Sequence, residues 1–214
     1  MKEILVHIGI GTEALAFLTG MVMFPKYKHT VLKYFPLYLG LVVCLELFCL
    51  FFYRVNNVWL FNILTILEFN FFAFIYWNYF NRFNRKTLLA FLVVFNTATA
   101  VTCFLGVQKF MVEPIYYSYV TVAFMHVVLI ILLFNQMLRS DAGLDEILRD
   151  LLFWICLGLL IYFATTLPIH TIRSWEETLG EFRHGLFYVI FSAVLLKNLL
   201  FIFGFLWSKK KYTY

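Results

Sequence analysis

The sequence predicts an all-α polytopic membrane protein, a bundle of seven transmembrane helices with the N-terminus outside and the C-terminus cytoplasmic. Three observations predict it. Seven separate apolar runs of about twenty residues fill most of the chain, and a helix rising about 1.5 Å per residue needs about that length to cross a hydrocarbon layer of about 30 Å. Hydrophobic residues make up 63% of the chain and charged residues 14%, with a mean hydropathy of +0.86, whereas about a quarter of a soluble domain is charged. The basic residues also divide unevenly between the two sides that seven crossings create.

The runs, in order, span residues 4–24, 33–53, 58–80, 87–106, 116–138, 151–170 and 185–207. Thr12 and Glu13 interrupt the middle of the first run, and Phe24-Pro25-Lys26 offers no small-residue cleavage site, so this run reads as a mature helix and not as a signal peptide. Its Gly9, Thr12, Glu13, Ala16 and Gly20 share one face, and small residues on a membrane helix mark a close packing surface. On the second run Glu46 falls on a face with Cys49 and Tyr53. The third carries a polar stripe, Asn62, Thr65, Glu68, Tyr76 and Tyr79, within about a third of its circumference at about 100° per residue. Asn96, Thr99, Ala100 and Cys103 form a comparable face on the fourth run, His126 and Tyr119 on the fifth, and Gly158, Tyr162 and Thr165 on the sixth. On the seventh, Lys197 shares its face with Ala193, Gly204 and Ser208. The connections are too short to hold a separate domain, which begins near about 50 residues, so the chain is a single domain over 1–214.

With the N-terminus outside, the inner segments carry Lys26, Lys28, Lys33, Arg82, Arg85, Lys86, Arg139, Arg149, Lys209, Lys210 and Lys211, and the outer ones only Lys2, Arg54, Lys109, Arg173 and Arg183. The positive-inside rule then sets the orientation. The net charge of +5 is therefore a topology signal that faces lipid headgroups and not a nucleic-acid surface. Tyr and Trp near the run ends, among them Trp59, Trp77, Tyr116, Trp154 and Trp207, fit interfacial belts.

Two connections have helical patterning of their own. In 141–151 the apolar Leu144, Ile147, Leu148 and Leu151 oppose Asp145, Glu146, Arg149 and Asp150, which predicts a short helix on the inner surface. In 173–184, Trp175, Leu179 and Phe182 oppose Glu176, Glu177, Glu181 and Arg183, which predicts the same at the outer surface. Cys44, Cys49, Cys103 and Cys156 all fall inside apolar runs, form no CxxC pair, and are read as small packing residues without disulfides.

The chemistry concentrates at mid-membrane depth. Glu13, Glu68, Asn96, His126 and Lys197 lie near the centres of their runs, with Glu46 displaced slightly outward, so six helices send a polar group to one layer. An ionised Glu or Lys facing lipid there costs about 2.5–3.5 kcal/mol. These six residues are accordingly expected to face inward and form the binding site, with Lys197 neutralising one Glu and His126 a second, the third carboxyl staying neutral because burial disfavours charge. The competing reading is structural: interhelical hydrogen bonds worth about 0.6 kcal/mol each that tie the bundle together.

Other chemistries are poorly served. His7, His170 and His184 with Glu3 or Glu177 have the right donor types for zinc, yet no HxxxH or HExxH pair exists, so no metal site is assigned. Lys197 with Glu68 as counter-ion has a rhodopsin-like spacing, but the sixth run lacks a WxxYPxxW pocket. No GxSxG elbow, P-loop or CxxCH haem site occurs, so neither a catalytic residue nor a cofactor is assigned.

The segments NILTILEFNFFAFIY (62–76), LLFWICLGLLIYFATTLP (151–168) and SAVLLKNLLFIFGFLW (192–207) resemble small seven-helix membrane proteins of Bacteroidetes, some of which are similar to the membrane sensor modules found ahead of histidine kinases. The resemblance implies a bacterial inner membrane and a signalling context. The sequence thus points to a non-enzymatic membrane protein that senses or regulates through its polar core, with the lipid bilayer and a separate signalling partner at the inner loops as its contacts. The alternatives are a small proton-coupled or solute transporter and a structural membrane subunit. Pro36, Pro114 and Pro168 sit close to run ends and not at mid-membrane, where breaks in a transporter's helices are expected, which favours the sensor or the structural subunit over the transporter.

Overall fold

Each apolar run folds into one long helix because a backbone in hydrocarbon must satisfy its own N–H and C=O groups within the segment. A computed structural model describes residues 2–51, 57–140, 143–175 and 182–209. Its long helices are α1 (Lys2–Met23), α2 (Phe35–Phe51), α3 (Val58–Tyr79), α4 (Arg82–Phe104), α5 (Tyr116–Leu138), α7 (Leu151–Trp175) and α8 (Phe182–Trp207), with a short α6 (Leu144–Leu148) between α5 and α7. The seven long helices are long and apolar enough to cross a membrane, and no strand occurs among the described residues. With seven crossings the two ends of the chain lie on opposite faces of the bundle, here called the N-terminal and C-terminal faces.

Three boundaries differ from the sequence expectation for identifiable reasons. α2 starts at Phe35 and not at residue 33, because Val31–Tyr34 forms a 3₁₀ turn; Pro36 then sits in the first helical turn, where its missing N–H costs no hydrogen bond. α4 starts at Arg82 and not at residue 87, because the Asn81 side chain caps it by accepting from the Asn84 N–H at 2.9 Å. α7 continues past residue 170 to Trp175, so Pro168 lies inside the helix and not at its end. Proline there removes one N–H and leaves the Ala164 carbonyl without its helical donor, which weakens the sequence argument that placed every proline near a helix end.

α1 packs against α2 and α8, α8 against α7, α7 against α5, and α3, α4 and α5 against one another. The α7–α8 seam is the closest, since a Cβ on Gly204 would lie 2.6 Å from the Trp154 Cβ and one on Gly158 would lie 3.1 Å from the Lys197 carbonyl oxygen. Small residues permit that backbone approach. α2 meets α3 through rings: Tyr38 stacks on Phe71 at 4.7 Å, and Phe35 lies against Phe72 with ring centroids 6.1 Å apart.

The C-terminal half of the bundle is filled by aromatic side chains. Phe35, Phe72, Phe201 and Phe205 are buried, and Phe35 meets Phe201 edge to face at 5.1 Å, a favoured quadrupole geometry. Below this plug Lys26 donates to the Leu206 carbonyl at 2.7 Å and the Phe205 carbonyl at 3.2 Å, placing a cation on the negative end of α8. The helix anticipated in 141–151 is present as α6, with Ile147 buried, Leu144 exposed and the Leu148 carbonyl held by the Trp154 indole at 2.8 Å. Of the 173–184 segment, 173–175 continue α7 and 182–184 begin α8, while 176–181 lie outside the described residues, as does Tyr53. Of the cysteines, Cys156 is buried as a packing residue whereas Cys44 faces outward, so the packing role holds for the first and not the second. Leu18, Val22, Leu37, Val93 and Leu199 cover the outside of the bundle, the apolar surface that bilayer contact requires.

Candidate functional site

Above the aromatic plug the helices enclose a cavity of about 330 Å³ toward the N-terminal face. Glu13 of α1, Glu46 of α2, Glu68 of α3 and Lys197 of α8 all line it. The Lys197 Nζ and Glu13 Oε1 are 3.4 Å apart, with side chains only 15% and 7% exposed, so the ion pair sits within the bundle. One residue further along α8, the buried Asn198 donates to the Thr12 hydroxyl at 3.2 Å. Two adjacent polar residues on each helix thus zip α1 to α8, and the small face of α1 brings the backbones close enough for both contacts. Lys197 also lies over the Tyr162 ring at 4.8 Å, a cation–π placement that favours the charged amine in low dielectric. The second Glu13 oxygen, Oε2, is buried and accepts no hydrogen bond. Glu46 adjoins Glu13, and the Tyr38 hydroxyl reaches Glu68.

Four of the six residues picked out by depth therefore meet, and two do not. His126 is wholly buried two turns deeper on α5 than Tyr119, stacked on Phe163 at 4.5 Å and 7° and edged by Phe69 and Phe72. Neither ring nitrogen has a hydrogen-bond partner, so the expected pairing of His126 with a carboxylate is corrected: it is a core side chain in an aromatic cage. Asn96 faces α3, where it exchanges hydrogen bonds with Asn70 at 3.2 and 3.3 Å, an amide clasp outside the cavity. Equal depth brings groups to one layer, but the rotation of each helix decides whether they meet.

His126→Phe is expected to leave the melting temperature unchanged or to raise stability by about 1 kcal/mol, since it exchanges two unpaired buried nitrogens for apolar atoms. Thermal unfolding in detergent checks this. A loss above about 2 kcal/mol, beyond what the larger ring costs by overpacking, in His126→Phe and in the smaller His126→Leu alike would show a partner for the imidazole.

The cavity contains tyrosines that the depth argument left out. Tyr38, Val42 and Glu46 form one stripe on α2 at i, i+4 and i+8, and all three line the space. That spacing was present in the sequence and identifies Tyr38. The Tyr119 hydroxyl lies 3.2 Å from that of Tyr162 and 3.3 Å from that of Thr166, and its ring packs on His170 at 4.4 Å. The polar stripe of α3 divides by role. Thr65 and Glu68 line the space, whereas Asn62, also on its wall, is spent on the α4–α5 connection, donating to the Phe110 and Glu113 carbonyls and accepting from the Ile115 N–H.

A second chamber of about 590 Å³ lies beside the first, walled by apolar residues such as Val6, Ile10, Leu50, Phe187 and Ile190. The two share Glu13, Glu46, Phe61 and Val194 as common lining. A polar and an apolar compartment therefore meet at a pair of carboxyl groups, a combination that binding pockets use to hold a ligand's body while orienting its polar end. No protein-family model matches this chain, and neither a curated protein nor a solved structure matches it.

Proposed function

We propose that this chain is a non-enzymatic receptor or regulator of the bacterial inner membrane, which binds a ligand in the polar cavity and reports occupancy to a separate partner at its C-terminal face. One observation carries the reading: a cavity lined by Glu13, Glu46, Glu68, Lys197 and His170 lies toward the N-terminal face and ends on the buried plug of Phe35, Phe72, Phe201 and Phe205. A site closed on one side can sense, whereas transport needs access from both. A purely structural bundle has no use for such a space, because an unfilled cavity costs stability. The excess of basic residues on the other face, from Lys26 to Lys209, supports reading that face as cytoplasmic and the cavity as external. The resemblance of 62–76, 151–168 and 192–207 to small seven-helix membrane proteins of Bacteroidetes, some of which are similar to sensor modules, supports the same role. The transport reading draws on Pro168 within α7, a break of the kind that lets a helix bend.

Cysteine accessibility separates the two. In a background without native cysteines, Thr65→Cys on the cavity wall and Ser140→Cys beyond α5 are labelled with a membrane-impermeant maleimide in right-side-out and inverted vesicles. The expected result is labelling of Thr65→Cys from the outside only and of Ser140→Cys from the cytoplasmic side only. Labelling of Thr65→Cys from both sides would replace the receptor with a transporter.

A further inference from the structure

We infer that the paired chambers bind an amphipathic organic cation, its ammonium head among Glu46, Glu68 and the tyrosines and its hydrocarbon body in the apolar chamber. The inference rests on the reading of the cavity as a ligand site and names the ligand's chemical class.

Charge is the first argument. Among the described residues lining the polar cavity, the three carboxyl groups of Glu13, Glu46 and Glu68 outnumber the basic side chains, which are Lys197, engaged by Glu13 at 3.4 Å, and His170, whose ring packs on Tyr119 at 4.4 Å. Lys197 also interacts with Glu46 and Glu68 but is ion-paired with Glu13, so these two carboxyl groups are the counter-ions open to an entering cation. An anionic ligand would find Lys197 already engaged by Glu13, whereas an ammonium ligand supplies the countercharge that lets a buried carboxyl group ionise. Aromatic walls are the second argument. Tyr38, Tyr119 and Tyr162 line the same space, and Lys197 lies over the Tyr162 ring at 4.8 Å, so this wall already holds one ammonium group against an aromatic face.

The neighbouring chamber sets the rest of the molecule. Its volume of about 590 Å³ is bounded chiefly by Val6, Ile10, Leu50, Phe187 and Ile190, within the range of about 300–1,000 Å³ typical of small-molecule pockets. Such walls reject a hydrated metal ion or a polyamine, whose length is polar throughout, and accept an alkyl or aromatic body. Glu13 and Glu46 border both chambers, so a molecule with one charged end and one apolar end satisfies both at once.

The test compares three probes with one tail: decylammonium, decanol and decanoate. Each is titrated against the protein in nanodiscs, with the linear partitioning into empty nanodiscs subtracted. Decylammonium is expected to saturate at one molecule per chain, with decanol and decanoate weaker by about tenfold or more. Glu46→Gln, nearly isosteric, is expected to weaken decylammonium by about tenfold while leaving decanol unchanged, and Leu50→Trp, which fills the apolar chamber, to weaken all three. Glu68→Gln provides the second carboxylate variant should Glu46→Gln fail to fold, with thermal unfolding run on each. The proposal is overturned if no saturable component exceeds empty nanodiscs, if decanol binds as tightly as decylammonium, or if the carboxylate variant binds decylammonium as the parent does. Failed decylammonium binding with one-sided labelling of Thr65→Cys would remove the cation and keep the receptor. Two-sided labelling with intact decylammonium binding would remove the receptor and keep the cation.

Discussion

Lys197→Met is expected to destabilise the protein by about 3–5 kcal/mol, the usual cost of removing one partner from a buried ion pair. Glu13 is 5% exposed and its Oε2 already lacks a hydrogen bond, so losing the amine leaves a carboxylate with no nearby compensation. The reverse substitution is expected to be milder. In Glu13→Gln the amine keeps its electrostatic interactions with Glu68 and Glu46 and its place over Tyr162. Adding Glu13→Gln to Lys197→Met is expected to recover much of the loss, because the double variant carries neither member of the pair. Thermal unfolding of the four proteins in detergent closes the cycle. Strictly additive effects, or an unchanged midpoint for Lys197→Met, would remove the ion pair from the account of this bundle's stability.

The asymmetry in that cycle follows from how the network is built. Its carboxylates are in surplus and its amine is single among the described lining residues, so one side of the pair has substitutes and the other has none. The same surplus supplies the cation preference proposed for the cavity. Stability and recognition thus draw on one charge distribution, and Glu46, which borders both chambers, is a residue through which binding can be altered with the ion pair left in place.

The fold was legible because its signal is a length. Apolar runs of about twenty residues have few alternatives to spanning helices, and α5 occupies the predicted residues 116–138. Helix ends were less legible where polar residues extend them, as Arg82, Arg85 and Lys86 do for α4, since hydropathy falls there while the hydrogen-bonded helix continues. Within the site, Glu13 and Lys197 could be found because each shares its face with small residues, Ala16 and Gly20 or Ala193 and Gly204, that betray a close helix contact. His126 and Asn96 satisfied the depth criterion equally, but their helices turn them toward Phe163 and Asn70. Gln136 escaped notice altogether. It sits near the end of α5, where a polar residue is unremarkable, yet its amide donates to the Tyr79 carbonyl at 2.8 Å and accepts from the Asn81 N–H and the Asn84 amide at 3.0 Å. Such ties join a side chain to a turn far away in sequence, and one-dimensional periodicity contains no term for them.

Asn62→Leu is expected to cost about 2–4 kcal/mol, from about 1–3 kcal/mol for each buried group left unsatisfied, and to loosen the connection that walls the cavity. The buried Asn62 side chain serves three backbone groups at once: its Nδ2 donates to the Phe110 carbonyl at 2.7 Å and the Glu113 carbonyl at 2.9 Å, and its Oδ1 accepts from the Ile115 N–H at 3.1 Å. Ile115 is 2% exposed, so its N–H has no ready access to water, whereas Glu113 is exposed and its carbonyl can be rehydrated. The loss should therefore concentrate on Phe110 and Ile115. Leucine keeps asparagine's side-chain heavy-atom count and branching, but its methyl groups are bulkier, so some overpacking adds to the loss. Asn62→Asp supplies the contrast: it keeps an acceptor for the Ile115 N–H but turns a carboxylate toward two carbonyl oxygens, and is expected to be at least as destabilising. Because Pro114 and Ile115 line the polar cavity, both variants should also speed hydrogen exchange across 110–116. Thermal unfolding and exchange mass spectrometry read the two effects separately. An Asn62→Leu protein with the parent's midpoint and the parent's exchange over 110–116 would show that the connection holds its place without this side chain, and that the polar stripe of α3 belongs wholly to the cavity.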